Sequence, residues 1–212
     1  MKDLSSRRWI GLVFISLAVA LIIVDSTIVN VAVPAIVEDL GISSTQVQWV
    51  QEAYTLVFAS MLLLFGSLAD RFGRRRILLT GVVLFAGASV AAGLAGSGDL
   101  LIAARLVQGV GGAMMLPSTL SLLNATFRGR ERGIAFAVWG STIGGMAAVG
   151  PLLGGWLTTD FSWRWAFGIN VPLGILIFVG VLLTVAESRE DTAGRVDVVG
   201  ADRHRPHAEL SG

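Results

Sequence analysis

Three charged residues, Asp25, Glu52 and Arg105, stand inside runs of otherwise apolar sequence. In hydrocarbon a lone charge costs roughly 2.5–3.5 kcal/mol on insertion scales, so each should face another charge, water or a polar cargo rather than lipid. At 1.5 Å per helical residue, Asp25 lies about 24 Å above the start of its helix, while Glu52 and Arg105 lie roughly 8–9 Å below the opposite ends of theirs. All three therefore sit at similar height, and pairing Asp25 with Arg105 is the simplest arrangement. Such a pair also has a purely structural reading, as a tie that specifies how two helices pack. Glu52 suits a water-facing interfacial position as well as a cavity.

The elements that must carry these charges are apolar segments at residues 9–36, 47–69, 77–95, 100–123, 133–157 and 165–186. Each reaches about 20 residues or more, enough to cross roughly 30 Å of hydrocarbon as a helix. The composition agrees: 54% of residues are hydrophobic and 15% charged, with a mean hydropathy of +0.74, which places the chain in the membrane class. The first segment follows Lys2, Arg7 and Arg8 like the start of a signal peptide, but further spans follow and Asp25 interrupts a cleavable pattern. The expected fold is an all-α membrane protein, a six-transmembrane-helix bundle over residues 1–190. Residues 191–212 are expected to form a polar cytoplasmic tail without fixed structure.

Charge placement orients the spans. Arg71, Arg74, Arg75 and Arg76, then Arg128, Arg130 and Arg132, fall on the side of the amino terminus. The opposite loops carry chiefly Glu38, Asp39, Asp99, Asp160 and Arg164. Positive residues mark the cytoplasmic face, so both termini are expected in the cytoplasm of a multi-pass plasma membrane protein. Trp49, Trp156, Trp163 and Trp165 then lie near the outer boundary and Trp9 near the inner one, where amphipathic rings settle. The chain has no cysteine, which removes disulfides and thiolate chemistry and leaves the redox compartment unread.

Glycine punctuates the helices at chosen places. In the fifth segment Gly140, Gly144 and Ala148 recur every fourth residue, and Gly150, Pro151, Gly154 and Gly155 crowd its outer half. A smooth face of this kind lets another helix approach closely, while Pro151 removes a helical hydrogen bond and is expected to kink the segment. Between the second and third segments, GSLADRFGRRR (66–76) ends one helix at Asp70, turns at Gly73 and presents Arg71, Arg74, Arg75 and Arg76 to the cytoplasm. A simple positive-inside anchor explains the arginines alone.

Other chemistries fit poorly. Gly109, Gly111 and Gly112 imitate a dinucleotide fingerprint, but they lie inside an apolar helix with no strand before them. His204 and His207 lack acidic or cysteine partners at ligand spacing, so no metal site is expected. The sequon at Asn124 falls on the cytoplasmic side, where glycosylation does not occur. No nucleophile with a base and an orienting residue emerges, and no basic stripe with interleaved aromatics faces nucleic acid. Neither an enzyme nor a nucleic-acid partner is expected.

Five segments together resemble the drug:proton antiporters of the major facilitator superfamily, in their fourteen-helix branch. Residues 24–34 (VDSTIVNVAVP) look like that branch's first-helix motif, and residues 66–76 match the loop signature between helices two and three. Ala104, Arg105, Gln108 and Gly109 resemble the fourth-helix motif associated with proton coupling. Gly150, Pro151, Gly154 and Gly155 resemble the fifth-helix antiporter motif, and SWRWAF (162–167) with Asn170, Val171 and Pro172 resembles the entry to helix six. The resemblance covers about residues 9–200.

It implies two inverted repeats of three helices, with substrate handled between two six-helix bundles by alternating access. The implied activity is efflux of lipophilic or cationic small molecules in exchange for protons, with the proton as coupling ion and no other cofactor. Asp25 and Glu52 would carry the titratable charge beside Arg105. Gly66, Asp70, Arg71, Gly73, Arg74 and Arg75 would form a conformational loop that latches the bundles. Asn30, Glu52, Tyr54 and Gln108 are the candidates for the substrate cavity. The partners implied are the lipid bilayer, a small lipophilic substrate and a second six-helix bundle, supplied if necessary by self-association. Residues 202–212 turn abruptly polar where the family continues into another apolar helix, so a truncated, non-transporting half-bundle is the alternative expectation.

Overall fold

The computed structural model describes residues 2–188. The expected tail, 191–212, with His204 and His207, lies outside the described residues. Helices α1 (Lys2–Leu40), α2 (Ser44–Phe72), α3 (Arg74–Gly93), α4 (Gly98–Thr126) and α5 (Gly129–Asp160) follow one another through short turns, then α6 (Arg164–Gly168) and α7 (Asn170–Thr184) close the bundle. Among the described residues six spans are long and apolar enough to cross a membrane, α6 and α7 together making the sixth. The chain is a multi-pass, all-helical membrane protein.

Local sequence sets the helix boundaries. Ser43 caps α2, accepting from the Gln46 amide while the Gln46 side chain accepts from the Ser43 amide, a reciprocal capping box. Ser97 caps α4 through the Leu100 amide. The turn from α2 to α3 is made by Gly73 alone, at φ +114°, a conformation open to a residue without a Cβ. Helix α5 runs unbroken through Pro151.

The sixth span departs from the single helix expected over 165–186. It starts at Arg164, breaks at Ile169 and ends at Thr184. Pro172 has no amide hydrogen to return to Gly168, and the next bond, from the Leu173 amide to the Ile169 carbonyl, stretches to 3.5 Å. A missing donor and a weak neighbour suffice to interrupt the ladder.

Packing follows a two-fold pattern. α2 and α3 pack along α4, α5 and α7 pack along α1, α3 meets α7, and α1 meets α4. Exchanging α1 with α4, α2 with α5 and α3 with the sixth span maps this set of contacts onto itself. Because each repeat holds an odd number of spans, the second must enter the membrane in the opposite direction, which is the inverted arrangement of secondary transporters.

Glycine makes the closest crossings. A Cβ on Gly109 would stand 2.7 Å from the Tyr54 carbonyl, and one on Gly81 would stand 2.8 Å from the Gly111 carbonyl. Gly150 packs against Thr27 and Gly154 against Ile28 and Val31 of α1. By contrast, a Cβ on Gly140, Gly144 or Gly155 would meet nothing within 4 Å among the described residues. The expected close approach is thus made by Gly150 and Gly154, while Gly155 and the Gly140 and Gly144 stripe stay open.

Buried apolar side chains form two clusters. One gathers Leu12, Ile15, Leu21, Leu78, Phe85, Met115 and Phe127. The other gathers Val24, Ile28, Ile36, Val50, Leu101, Trp163 and Phe167. Along α1 they meet between Ile22 and Val24, one residue from Asp25.

Candidate proton-coupling site

Asp25 lies at that junction with no exposed surface, and Arg105 of α4 is 2% exposed. The Arg105 Nη1 donates to Asp25 Oδ2 at 2.6 Å. It also donates to Gln108 Oε1 at 2.9 Å, and Nε donates to the Val50 carbonyl at 3.3 Å. The guanidinium lies over the Tyr54 ring, 4.2 Å from its centroid, a favourable cation–π position. Burial of a charge is tolerated where its donors find acceptors, and here α1, α2 and α4 supply them.

The other carboxylate oxygen is held by neutral donors. Asp25 Oδ1 accepts from Gln108 Nε2 at 3.2 Å and from Asn170 Nδ2 at 2.6 Å. Both amides also donate to Ser89 Oγ, at 2.7 and 3.1 Å, and that hydroxyl donates to the Phe85 carbonyl. The network thus joins α1, α2, α3, α4 and the first residue of α7. The α4 face that delivers it follows from spacing: Arg105, Gln108 and Gly112 recur at three and four residues and share one side of the helix.

The structure brings Asp25 and Arg105 together and adds Gln108 to them. Tyr54 is buried under Arg105, 4% exposed, and Gln108 is fully buried, so neither lines an open cavity in this conformation. Asn30 and Glu52 are exposed and stand outside the network. Ser89 and Asn170 are members that sequence reasoning missed. Ser89 was visible only as a lone polar residue in an apolar stretch, and Asn170 was noted only within the segment that resembles the entry to helix six.

The loop of residues 66–76 forms a second polar cluster at the opposite end of α2. Asp70 accepts from Arg74 Nε at 2.8 Å, and exposed Arg71 lies over the Phe72 ring. Gly66 faces Pro117 of α4. Arg75 Nη1 donates to the Val185 carbonyl at 3.1 Å. The Glu187 carboxylate, another residue not anticipated, accepts from the Arg75 and Arg76 backbone amides at 3.0 and 3.2 Å. It occupies the amino-terminal end of α3, where unpaired amides and the helix dipole favour an anion. A Cβ on Gly73 would come within 2.9 Å of that carboxylate.

A six-span helical bundle with inverted repeats and a buried charged network between its helices defines a secondary-transporter architecture. Residues 15–206 match the Major Facilitator Superfamily, and the chain belongs to that family. It is 46% identical over 195 residues to the puromycin resistance protein pur8 of Streptomyces alboniger, covering 92% of this chain and 39% of the relative. It is 41% identical over 195 residues to the multidrug efflux pump LfrA of Mycolicibacterium smegmatis, with 92% and 39% covered. The chain therefore spans about two fifths of the length of these relatives. Among solved structures, a peptide transporter POT in complex with sulfate superposes with a TM-score of 0.72 at 18% identity, over 81% of this chain and 37% of that one. At that identity the likeness establishes the fold alone.

Proposed function

We propose that this chain supplies one six-helix bundle of a transporter that exports lipophilic or cationic small molecules across the plasma membrane in exchange for protons. The observation that carries the reading is Asp25: a fully buried carboxylate bonded at 2.6 Å to a buried arginine on another helix. A group that can gain and lose charge inside the bundle is what proton coupling requires, and the guanidinium beside it keeps its own charge. The relatives named for antibiotic resistance and multidrug efflux support the substrate class. One proton driven through about 150 mV supplies roughly 3.5 kcal/mol, enough to hold a gradient of a few hundredfold for a neutral substrate exchanged one for one.

Alternating access needs a second bundle for this one to rock against. Helices α2 and α5 support that requirement, since few of their residues are buried and Glu52 and the Gly140 and Gly144 stripe are exposed. The arginine loops support a cytoplasmic side for both termini, since positive residues favour that face. The test is Asp25→Asn in an intact transporter carrying this bundle. Efflux driven by a pH gradient is expected to disappear while folded protein stays near its normal level, because the amide keeps the volume but cannot titrate. Normal pH-driven efflux by the variant removes Asp25 from the coupling role and moves the assignment to Glu52.

A further inference from the structure

Asp25 accepts every hydrogen bond it makes: Arg105 Nη1 at Oδ2, and Gln108 Nε2 and Asn170 Nδ2 at Oδ1. That arrangement serves an ionised carboxylate. When a proton arrives, one carboxylate oxygen becomes a donor and needs an acceptor. Oδ2 faces a guanidinium, which has none to offer. The proton therefore belongs on Oδ1, and one of the two amides there must present its oxygen instead of its nitrogen.

The two amides are not equivalent. Gln108 is pinned, because its Oε1 already accepts from Arg105 Nη1 at 2.9 Å, and turning the amide would break that bond and set donor against donor. Asn170 is free to answer. Its Oδ1 is buried and has no hydrogen-bond partner among the described residues, a costly state for a polar atom unless another state of the site uses it. Half a turn of the Asn170 amide brings this oxygen to Asp25 Oδ1 as the acceptor a protonated carboxyl needs, and moves Nδ2 to the place the oxygen leaves.

We propose that Asn170 registers the protonation of Asp25 by reversing its side-chain amide, a reading that rests on Asp25 being the proton carrier. The proton comes to Oδ1 from solvent and leaves by the same atom, with no other bond made or broken covalently. Asn170 stands where the signal has a mechanical outlet. It is the first residue of α7, directly after the break at Ile169, and its Nδ2 also holds Ser89 of α3. Reversal withdraws that donor from both α1 and α3 at the weakest point of the sixth span. Among the described residues no other titratable side chain on a packed element competes for the role. Arg105 comes from α4 and Tyr54 from α2, α3 and α7 contribute neutral Ser89 and Asn170, α6 contributes Phe167, and α5 presents Gly150 to this stretch of α1.

The test is nuclear magnetic resonance of the full chain in lipid nanodiscs, labelled on asparagine and glutamine side-chain nitrogens and on aspartate carboxyl carbons. The chain holds three asparagines, Asn30, Asn124 and Asn170, so the Asn170 amide is assignable by substitution, and Asp25→Asn assigns the Asp25 carboxyl. On acidification the Asn170 amide signal is expected to move by more than its linewidth, with the same midpoint as the Asp25 carboxyl. The Asn170 amide nitrogen is expected to lose its dipolar coupling to the Asp25 carboxyl carbon as it turns away, the Gln108 nitrogen, which donates to the same oxygen, to keep its own, and Asp25→Asn to abolish the Asn170 response. If Asp25 titrates while Asn170 stays fixed, or if Gln108 moves in its place, the proposal fails and the proton-carrier reading stands. If Asn170 still responds in Asp25→Asn, it reports another group and the proposal fails. An Asp25 carboxyl that never titrates ends both.

Discussion

Replacing Arg105 by methionine isolates the contribution of charge to this bundle. The substitution keeps a long unbranched side chain but removes the donors to Asp25 Oδ2, Gln108 Oε1 and the Val50 carbonyl, together with the cation over the Tyr54 ring. Removing one partner of a buried ion pair costs about 3–5 kcal/mol, because the remaining charge has neither water nor a counter-ion. The cation–π contact adds about 1–2 kcal/mol, and the amides of Gln108 and Asn170 still hold Asp25 Oδ1, which offsets part of the loss. A net destabilisation of about 3–5 kcal/mol is expected. Asp25→Leu combined with Arg105→Met removes both charges and should recover to within about 2 kcal/mol of the parent, since a well-packed apolar pair replaces a buried ion pair at little cost. The assay is reversible unfolding of the chain in mixed micelles, run on both singles and the double as a mutant cycle. A loss below about 1 kcal/mol for Arg105→Met, or a double variant as unstable as the sum of the singles, would refute the reasoning.

Gly150→Ala should destabilise the bundle by about 1–3 kcal/mol in the same assay, because its methyl group would press on Thr27. Gly140→Ala, at an open site, should be neutral or stabilising by up to about 1 kcal/mol. Glu187→Ala should cost about 1–2 kcal/mol and speed hydrogen exchange at the Arg75 and Arg76 amides, which lose their acceptor. Single cysteines at Arg75 and Arg130 should resist impermeant thiol reagents in intact cells while one at Ser97 labels; the reverse would overturn the orientation.

Much of the fold was legible because hydrocarbon imposes length and composition on any segment that crosses it. The Asp25 and Arg105 pair was legible for a related reason: two opposite charges in apolar runs at one depth have few ways to be satisfied. Ser89 and Asn170 were not, since a neutral hydroxyl or amide in an apolar helix raises no comparable alarm. Their meaning depends on α3 and α7 crossing beside α1, which no spacing within either helix reveals. Glu187 is harder still, because it caps amides 112 positions away from it in the chain. The break at Ile169 had its signal in Pro172, but the apolar run passes over it without interruption, and periodicity reads the span as one piece. Glu52 shows the opposite limit. Its depth matched that of Asp25, yet depth fixes height and leaves the angle around the helix open.

The two apolar clusters, divided by a polar layer at Asp25, also set the register of the bundle. Sliding α1 by one turn along α4, about 5.4 Å, would carry the carboxylate into the side chains of one cluster and leave Arg105 facing the other. Glycine-lined crossings offer little resistance to such sliding, because smooth surfaces interlock weakly. The ion pair supplies what they lack, a single position along the axis at which all the donors and acceptors meet. A bundle built this way can keep its helices close and loosely geared while admitting only one longitudinal alignment.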